Sequence, residues 1–258
     1  LFCGMRKIGY KNNSVRIPKP YFLSKILTDT KSQQSIPIFG MEPLDGNFYE
    51  LISEYYSKYR EYENDPSKEA LEISKIFTNI FLNMLESICL LLIDLQKNFK
   101  FYHRDMHAMN IMFKRGTKLH DFKWFLIDFG MSTMMVGSPD KDNKNARDIR
   151  INNQEVGVYN GYYDNPNRGR EEHDLRLLIL MIFDLKDLQL NKLLSPKLYK
   201  LLDFTYQDVM NDLDVTENDN YDGFHKGYAY AFENIKTPIF KPNNFLETIV
   251  KDKTLREF

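Results

Sequence analysis

The strongest constraint on the fold is a run of apolar residues at three- and four-residue steps: Ile73, Ile76, Phe77, Ile80, Phe81, Met84, Leu85, Ile88, Leu91, Leu92 and Leu95. This is the period of an α-helix with one continuous apolar stripe, which needs a core to face. Asp65 suits an N-cap and Pro66 the first helical position, so a central core helix is expected over 66–97. Its longest unbroken apolar run, Ile88-Cys89-Leu90-Leu91-Leu92-Ile93, is far short of the roughly 20 residues of a membrane span. No membrane association and no signal peptide are expected. The chain has 258 residues, 43% of them hydrophobic and 28% charged, which is enough to bury a sizeable core around such a helix.

Thirty-five Lys+Arg against 36 Asp+Glu leave a net charge of -1, which argues against nucleic acid as a partner and against an anionic membrane. Cys3 and Cys89 are far apart and outside any Cys/His cluster, so neither a disulfide framework nor a zinc knuckle is expected, and a reducing, cytoplasmic setting is.

The remaining elements alternate in type. Tyr21-Phe22-Leu23 and Ile36-Pro37-Ile38-Phe39-Gly40-Met41 form short strands, and Glu42-Pro43-Leu44-Asp45-Gly46-Asn47 forms a turn-rich boundary. Phe48, Leu51, Ile52, Tyr55, Tyr56 and Tyr59 then mark an amphipathic helix that Asn47 can cap. The tyrosines at 55–62 and 159–163 are expected to pack rather than stack on bases. Ile111-Met112-Phe113 and Trp124-Phe125-Leu126-Ile127 form a hairpin around a polar stretch with Gly116. Residues 128–172 are expected to be long and irregular, and Leu175 to Phe183 a helix apolar nearly all round and therefore buried. The last seventy or so residues alternate helical patterns with Asn/Asp-rich loops. The fold class is α+β.

The chemistry concentrates in Tyr102-His103-Arg104-Asp105-Met106-His107-Ala108-Met109-Asn110 and Leu126-Ile127-Asp128-Phe129-Gly130. Two carboxylates and a carboxamide fall on either side of one hairpin. Phosphoryl transfer needs oxygen ligands for divalent cations and one carboxylate to orient and deprotonate the acceptor hydroxyl. A zinc reading of His103 and His107 is disfavoured, because the residues between them lack the glutamate such sites use.

Here the sequence resembles the protein-kinase superfamily, whose catalytic loop reads H-R-D-x-x-x-x-N and whose metal-binding turn reads D-F-G. The resemblance covers roughly residues 36–258 and implies a protein-kinase-like fold, mostly a helical large lobe. It divides the chain into a small-lobe remnant at 1–40, a hinge at 41–47 and the large lobe at 48–258. It makes Asp105 the catalytic base, with His107 beside it in the acceptor cleft, and Asn110 and Asp128 the ligands of magnesium. His103 and Arg104 become supporting residues, and Gly130 the flexible residue of the turn. Met41, Glu42 and Leu44 would hold the adenine of ATP, and Asp174 would support the catalytic loop from a buried helix.

The sequence lacks a G-x-G-x-x-G loop, a V-A-I-K-like strand lysine and an A-P-E. With Leu1 as its first residue, truncation of a longer chain is the expected reason rather than degeneracy. The resemblance thus implies transfer of the ATP γ-phosphoryl group to a protein Ser/Thr hydroxyl, with ATP and Mg2+ as cofactors. The alternatives are a small-molecule kinase of the same fold, which His107 in place of lysine favours, and a non-catalytic scaffold. Ser132, Thr133 and Ser138 are expected to be ordinary loop hydroxyls rather than regulatory phosphorylation sites. Abundant Asn, Lys, Ile and Tyr suggest an AT-rich coding source such as a large DNA virus or a protist.

Overall fold

Asn47 and Glu50 start the first helix by a reciprocal exchange. Asn47 Oδ1 accepts the Glu50 N–H at 3.0 Å, and Glu50 Oε2 accepts the Asn47 N–H at 2.9 Å. This capping box satisfies two N–H groups that the helix geometry orphans, and it fixes the start of α1 (Phe48–Arg60) where the sequence places it. The computed structural model describes residues 17–27, 35–63, 68–117, 120–130, 132–136, 147–150, 171–212 and 240–258. The cap expected at Asp65 and Pro66, Cys3, Ser138 and the tyrosines of 159–163 lie outside them.

The long apolar period is helix α2 (Lys68–Phe99). Phe77, Phe81, Leu85, Ile88, Leu92 and Leu95 are fully buried, while Glu69, Glu72, Lys75, Asn79 and Asn83 stay exposed. By length and composition α2 could also cross a membrane, which counting only unbroken apolar runs overlooks. In this fold its apolar stripe is covered instead. Phe48 at the start of α1 lies 6.3 Å from Phe77, 5.8 Å from Phe81 and 5.7 Å from Trp124 between ring centroids, so α1, α2 and the hairpin share one aromatic centre. Tyr55 is buried, and Tyr56 and Tyr59 pack against the same core.

Strands β1 (Pro20–Leu27) and β2 (Ser35–Met41) pair antiparallel. Ile17, just before β1, is buried in the same core cluster as the helices, so this end of the chain is anchored to the helical part. A second sheet joins β3 (Gly46–Asn47), β4 (Ile111–Arg115) and β5 (Phe122–Leu126) in that order. The expected hairpin is present, with Ile111 opposite Leu126 and Arg115 opposite Phe122. Gly116 closes it where the Asp121 side chain sits so close that a Cβ would fall 2.2 Å from Asp121 Oδ2. Within the stretch expected to be irregular, β6 (Thr133–Val136) and β7 (Arg147–Arg150) form an antiparallel pair. Four-residue strands are too short for their alternation to stand out from a polar background.

Helix α3 (His173–Phe183) is buried at every position but Met181, as its all-round apolar pattern requires. It is followed by α4 (Leu190–Leu193), α5 (Pro196–Asp212) and, near the C-terminus, α6 (Pro242–Phe245). Ser195 N–H donates to Thr78 Oγ1 at 2.9 Å, and Ser74 Oγ donates to the Lys192 carbonyl at 2.7 Å. These bonds hold the α4–α5 corner against α2. Mixed helix and small antiparallel sheets make the chain α+β.

Candidate functional site

Helix α2 ends when Lys100 turns left-handed, at φ 49°, and the chain enters the segment carrying Asp105. Asp174, in the first turn of α3 and fully buried, holds that segment. Its Oδ2 accepts the His103 N–H at 2.9 Å and its Oδ1 the Arg104 N–H at 2.8 Å. Asp174 is not the helix cap, a position taken by Glu172. Burial pushes the Asp174 carboxyl up from its ordinary range, while His103 and the two N–H groups oppose the rise. Arg104 is held at φ 66°, a region bulky side chains rarely adopt, so the tether stabilises a strained backbone directly before Asp105.

The His103 ring is buried between Phe101 and Phe129, at 6.3 and 5.4 Å. Its Nε2–H donates to the Ile127 carbonyl at 2.8 Å, and Ser132 Oγ donates to the His103 carbonyl at 3.2 Å. Burial pushes His103 below its ordinary value, with the Asp174 carboxyl opposing the fall. His103 thus ties the Asp105 loop to the Asp128 turn. Ser132 is fully buried and part of this tie, which corrects its reading as an exposed loop hydroxyl.

Three of the expected site residues converge. Asn110 Nδ2 donates to the Asp105 carbonyl at 2.8 Å and to Asp105 Oδ2 at 3.2 Å. His107 Nε2 lies 3.7 Å from the same Oδ2. A short 3-10 turn, Ala108–Asn110, folds the loop back so that position five reaches position zero. Asp128 is brought beside them by the backbone, because the Ile127 N–H donates to the Asn110 carbonyl at 3.0 Å. Asp128 is exposed, at φ 55°, and its Oδ1 accepts the Gly130 N–H at 3.2 Å. The left-handed residue of this turn is therefore Asp128 rather than Gly130. Glycine supplies space instead: a Cβ there would lie 3.2 Å from Asp128 Oδ1.

Met41 ends β2, paired with Pro20 of β1, and Glu42 and Leu44 lie on the connection between β2 and β3. The Glu42 N–H donates to the Lys19 carbonyl at 2.9 Å, and Glu42 Oε1 accepts the Lys19 N–H at 2.7 Å. The Asp45 N–H donates to the Phe113 carbonyl at 2.9 Å. Pro43 has no N–H, so from 42 to 45 Leu44 carries the one amide with no backbone partner among the described residues. The Glu42 N–H and carboxylate are thus engaged by Lys19, which leaves the Leu44 N–H as the amide of this stretch that faces no backbone partner there. The Lys19 exchange is the feature sequence reasoning missed, because neither residue type nor spacing signals a contact 23 positions apart.

Asn110 and Asp128 carry oxygen donors of the kind a hard divalent cation takes. Asn110 turns its amide nitrogen to Asp105, leaving the oxygen as the other end, and Asp128 supplies an exposed carboxylate. No group of three or more His, Cys, Asp or Glu side chains converges among the described residues. The zinc pairing of His103 and His107 has no third ligand there. Cys89 is a buried thiol whose ionisation burial pushes far up, which makes it a packing residue.

No protein-family model matches the chain, and no curated protein matches it. Among solved structures, one match is described as WaaP in complex with acyl carrier protein, at 14% identity over 87% of this chain and 73% of that one, with a TM-score of 0.32. So slight a likeness carries no weight for fold or function. The site stands on its own geometry.

Proposed function

We propose that this chain has a protein-kinase-like fold and is an ATP-dependent phosphotransferase that moves the γ-phosphoryl group to a protein serine or threonine hydroxyl. The observation that carries the reading is the clamp of Asn110 on Asp105, with Asp128 held beside it through Ile127. One carboxylate is fixed by an amide and two further oxygen donors sit on adjacent turns, which is the division of labour such a transfer requires.

Asp105 orients the acceptor hydroxyl and takes its proton as the oxygen attacks, a role worth about 10²–10⁴ in rate. Asn110 and Asp128 would hold magnesium, which neutralises charge on the transferring phosphate. The Leu44 N–H would receive the adenine ring, with Met41 and Leu44 side chains beside it. His107, 3.7 Å from the base, would donate a hydrogen bond at the acceptor side. That position also favours a second reading, a small-molecule alcohol as acceptor. The cytoplasm is the proposed compartment.

The test is magnesium-dependent ATP turnover by the chain and its Asp128→Ala variant. Asp128 is exposed and its removal leaves the core intact, so turnover is expected to vanish with folding unchanged. Wild-type turnover in the variant would overturn the assignment.

A further inference from the structure

We infer that a cavity between α3 and α5, remote in sequence from the Asp105 loop, binds a small alkylammonium cation. It has a volume of about 240 Å3 and is lined by Phe183, Leu190, Tyr199, Asp203, Tyr206 and Gln207 among others. The Phe183 ring stacks on Tyr199 at 5.6 Å and lies 6.2 Å from Tyr206, so three rings form one wall. Aromatic faces attract cations through their quadrupole.

Asp203 is the one charged side chain among the described residues that line the cavity. Asp203 is half-buried at the cavity and makes no ion pair among the described residues. Asp184, next to Phe183, accepts a hydrogen bond from the Tyr206 hydroxyl at 3.3 Å. Tyr206 is pushed up to about 12 by burial and by Asp184 and Asp203, and Tyr199 is raised by burial and Asp203, with no cation offsetting either. Lys197 and Lys200 of α5 do not line the cavity. Phe183 ends α3, so the negative end of that helix adds to the same field. Rings, an unpaired carboxylate and a helix C-terminus together select a cation over a neutral or anionic ligand. A volume of about 240 Å3 is room enough for one small cation against the rings.

The test titrates n-butylammonium chloride into the whole chain and follows the Leu190 methyl signals by NMR, with 1-butanol as the neutral probe of equal length. Saturable shifts with the amine alone are expected. Asp203→Asn should weaken the affinity about tenfold and Tyr199→Leu likewise, with Trp124 emission unchanged as the sign of an intact fold. N-acetyl-lysine methylamide then separates sources: binding supports a protein side chain, and its failure beside a binding free amine supports a small metabolite. Equal response to butanol and butylammonium, or an unchanged affinity in Asp203→Asn, would overturn the proposal.

Discussion

Asp174 receives two consecutive backbone N–H groups, from His103 at 2.9 Å and from Arg104 at 2.8 Å, and so fixes from a buried helix the segment that presents Asp105. Both carboxylate oxygens are used. Replacing one by an amide nitrogen turns an acceptor into a donor and leaves one buried N–H without a partner.

Asp174→Asn is therefore expected to lower stability by about 1–3 kcal/mol and to release Arg104 from its left-handed conformation. Denaturant unfolding measures the loss. A variant as stable as the wild type would mean that the two bonds contribute nothing to holding the loop.

Stability should depend on pH through His103. Burial lowers it below its ordinary 6.5, so the unfolded chain binds a proton that the folded chain refuses. The contribution is complete above about pH 6.5 and is lost as the pH falls through the lower folded value. His120 acts in the same direction, lowered by burial and by Lys58 and Arg115. Unfolding free energies at about pH 7.5 and about pH 5.5 should fall with acid in the wild type and fall less in His103→Gln, whose amide keeps a donor for Ile127. An equal slope in both would remove His103 as the source.

Phe48→Ala should cost about 3–5 kcal/mol, because Phe48 is fully buried against Phe77, Phe81 and Trp124. Trp124 is the sole tryptophan of the chain, so its emission should move to the red in the variant. A loss below about 1 kcal/mol would place Phe48 at the edge of the core.

Much of this arrangement is legible in the sequence, for identifiable reasons. Helices α1, α2 and α3 have apolar periods long enough to be unmistakable, and Asn47 with Glu50 announces a start. The pairing of Asp105 with Asn110 is legible because their order and spacing are those of the motif they resemble. What stays hidden is long-range or conformational. Glu42 and Lys19 exchange two bonds across 23 positions, Ser132 is buried by a loop that reads as polar, and the left-handed residue of the turn is Asp128 although glycine is the type that adopts it most readily. The cavity of Phe183, Tyr199 and Tyr206 is likewise assembled from two helices, and no local pattern brings it to notice.

His107 tests the choice of acceptor. His107→Lys, assayed on peptide serine and threonine and on small alcohols, should shift the preferred acceptor, because the side chain stands 3.7 Å from Asp105 Oδ2. If neither rate nor preference moves while stability falls by about 1–3 kcal/mol, His107 is a packing residue.

The most direct test is transfer of labelled γ-phosphate from magnesium-ATP to a Ser/Thr peptide pool and to a panel of alcohols, comparing the wild type with Asp105→Asn. The carboxamide keeps the shape and cannot take the proton. Wild-type transfer that falls at least about 10²-fold in Asp105→Asn, with magnesium-ATP affinity unchanged in calorimetry, is the predicted result. Equal transfer by both would contradict the account.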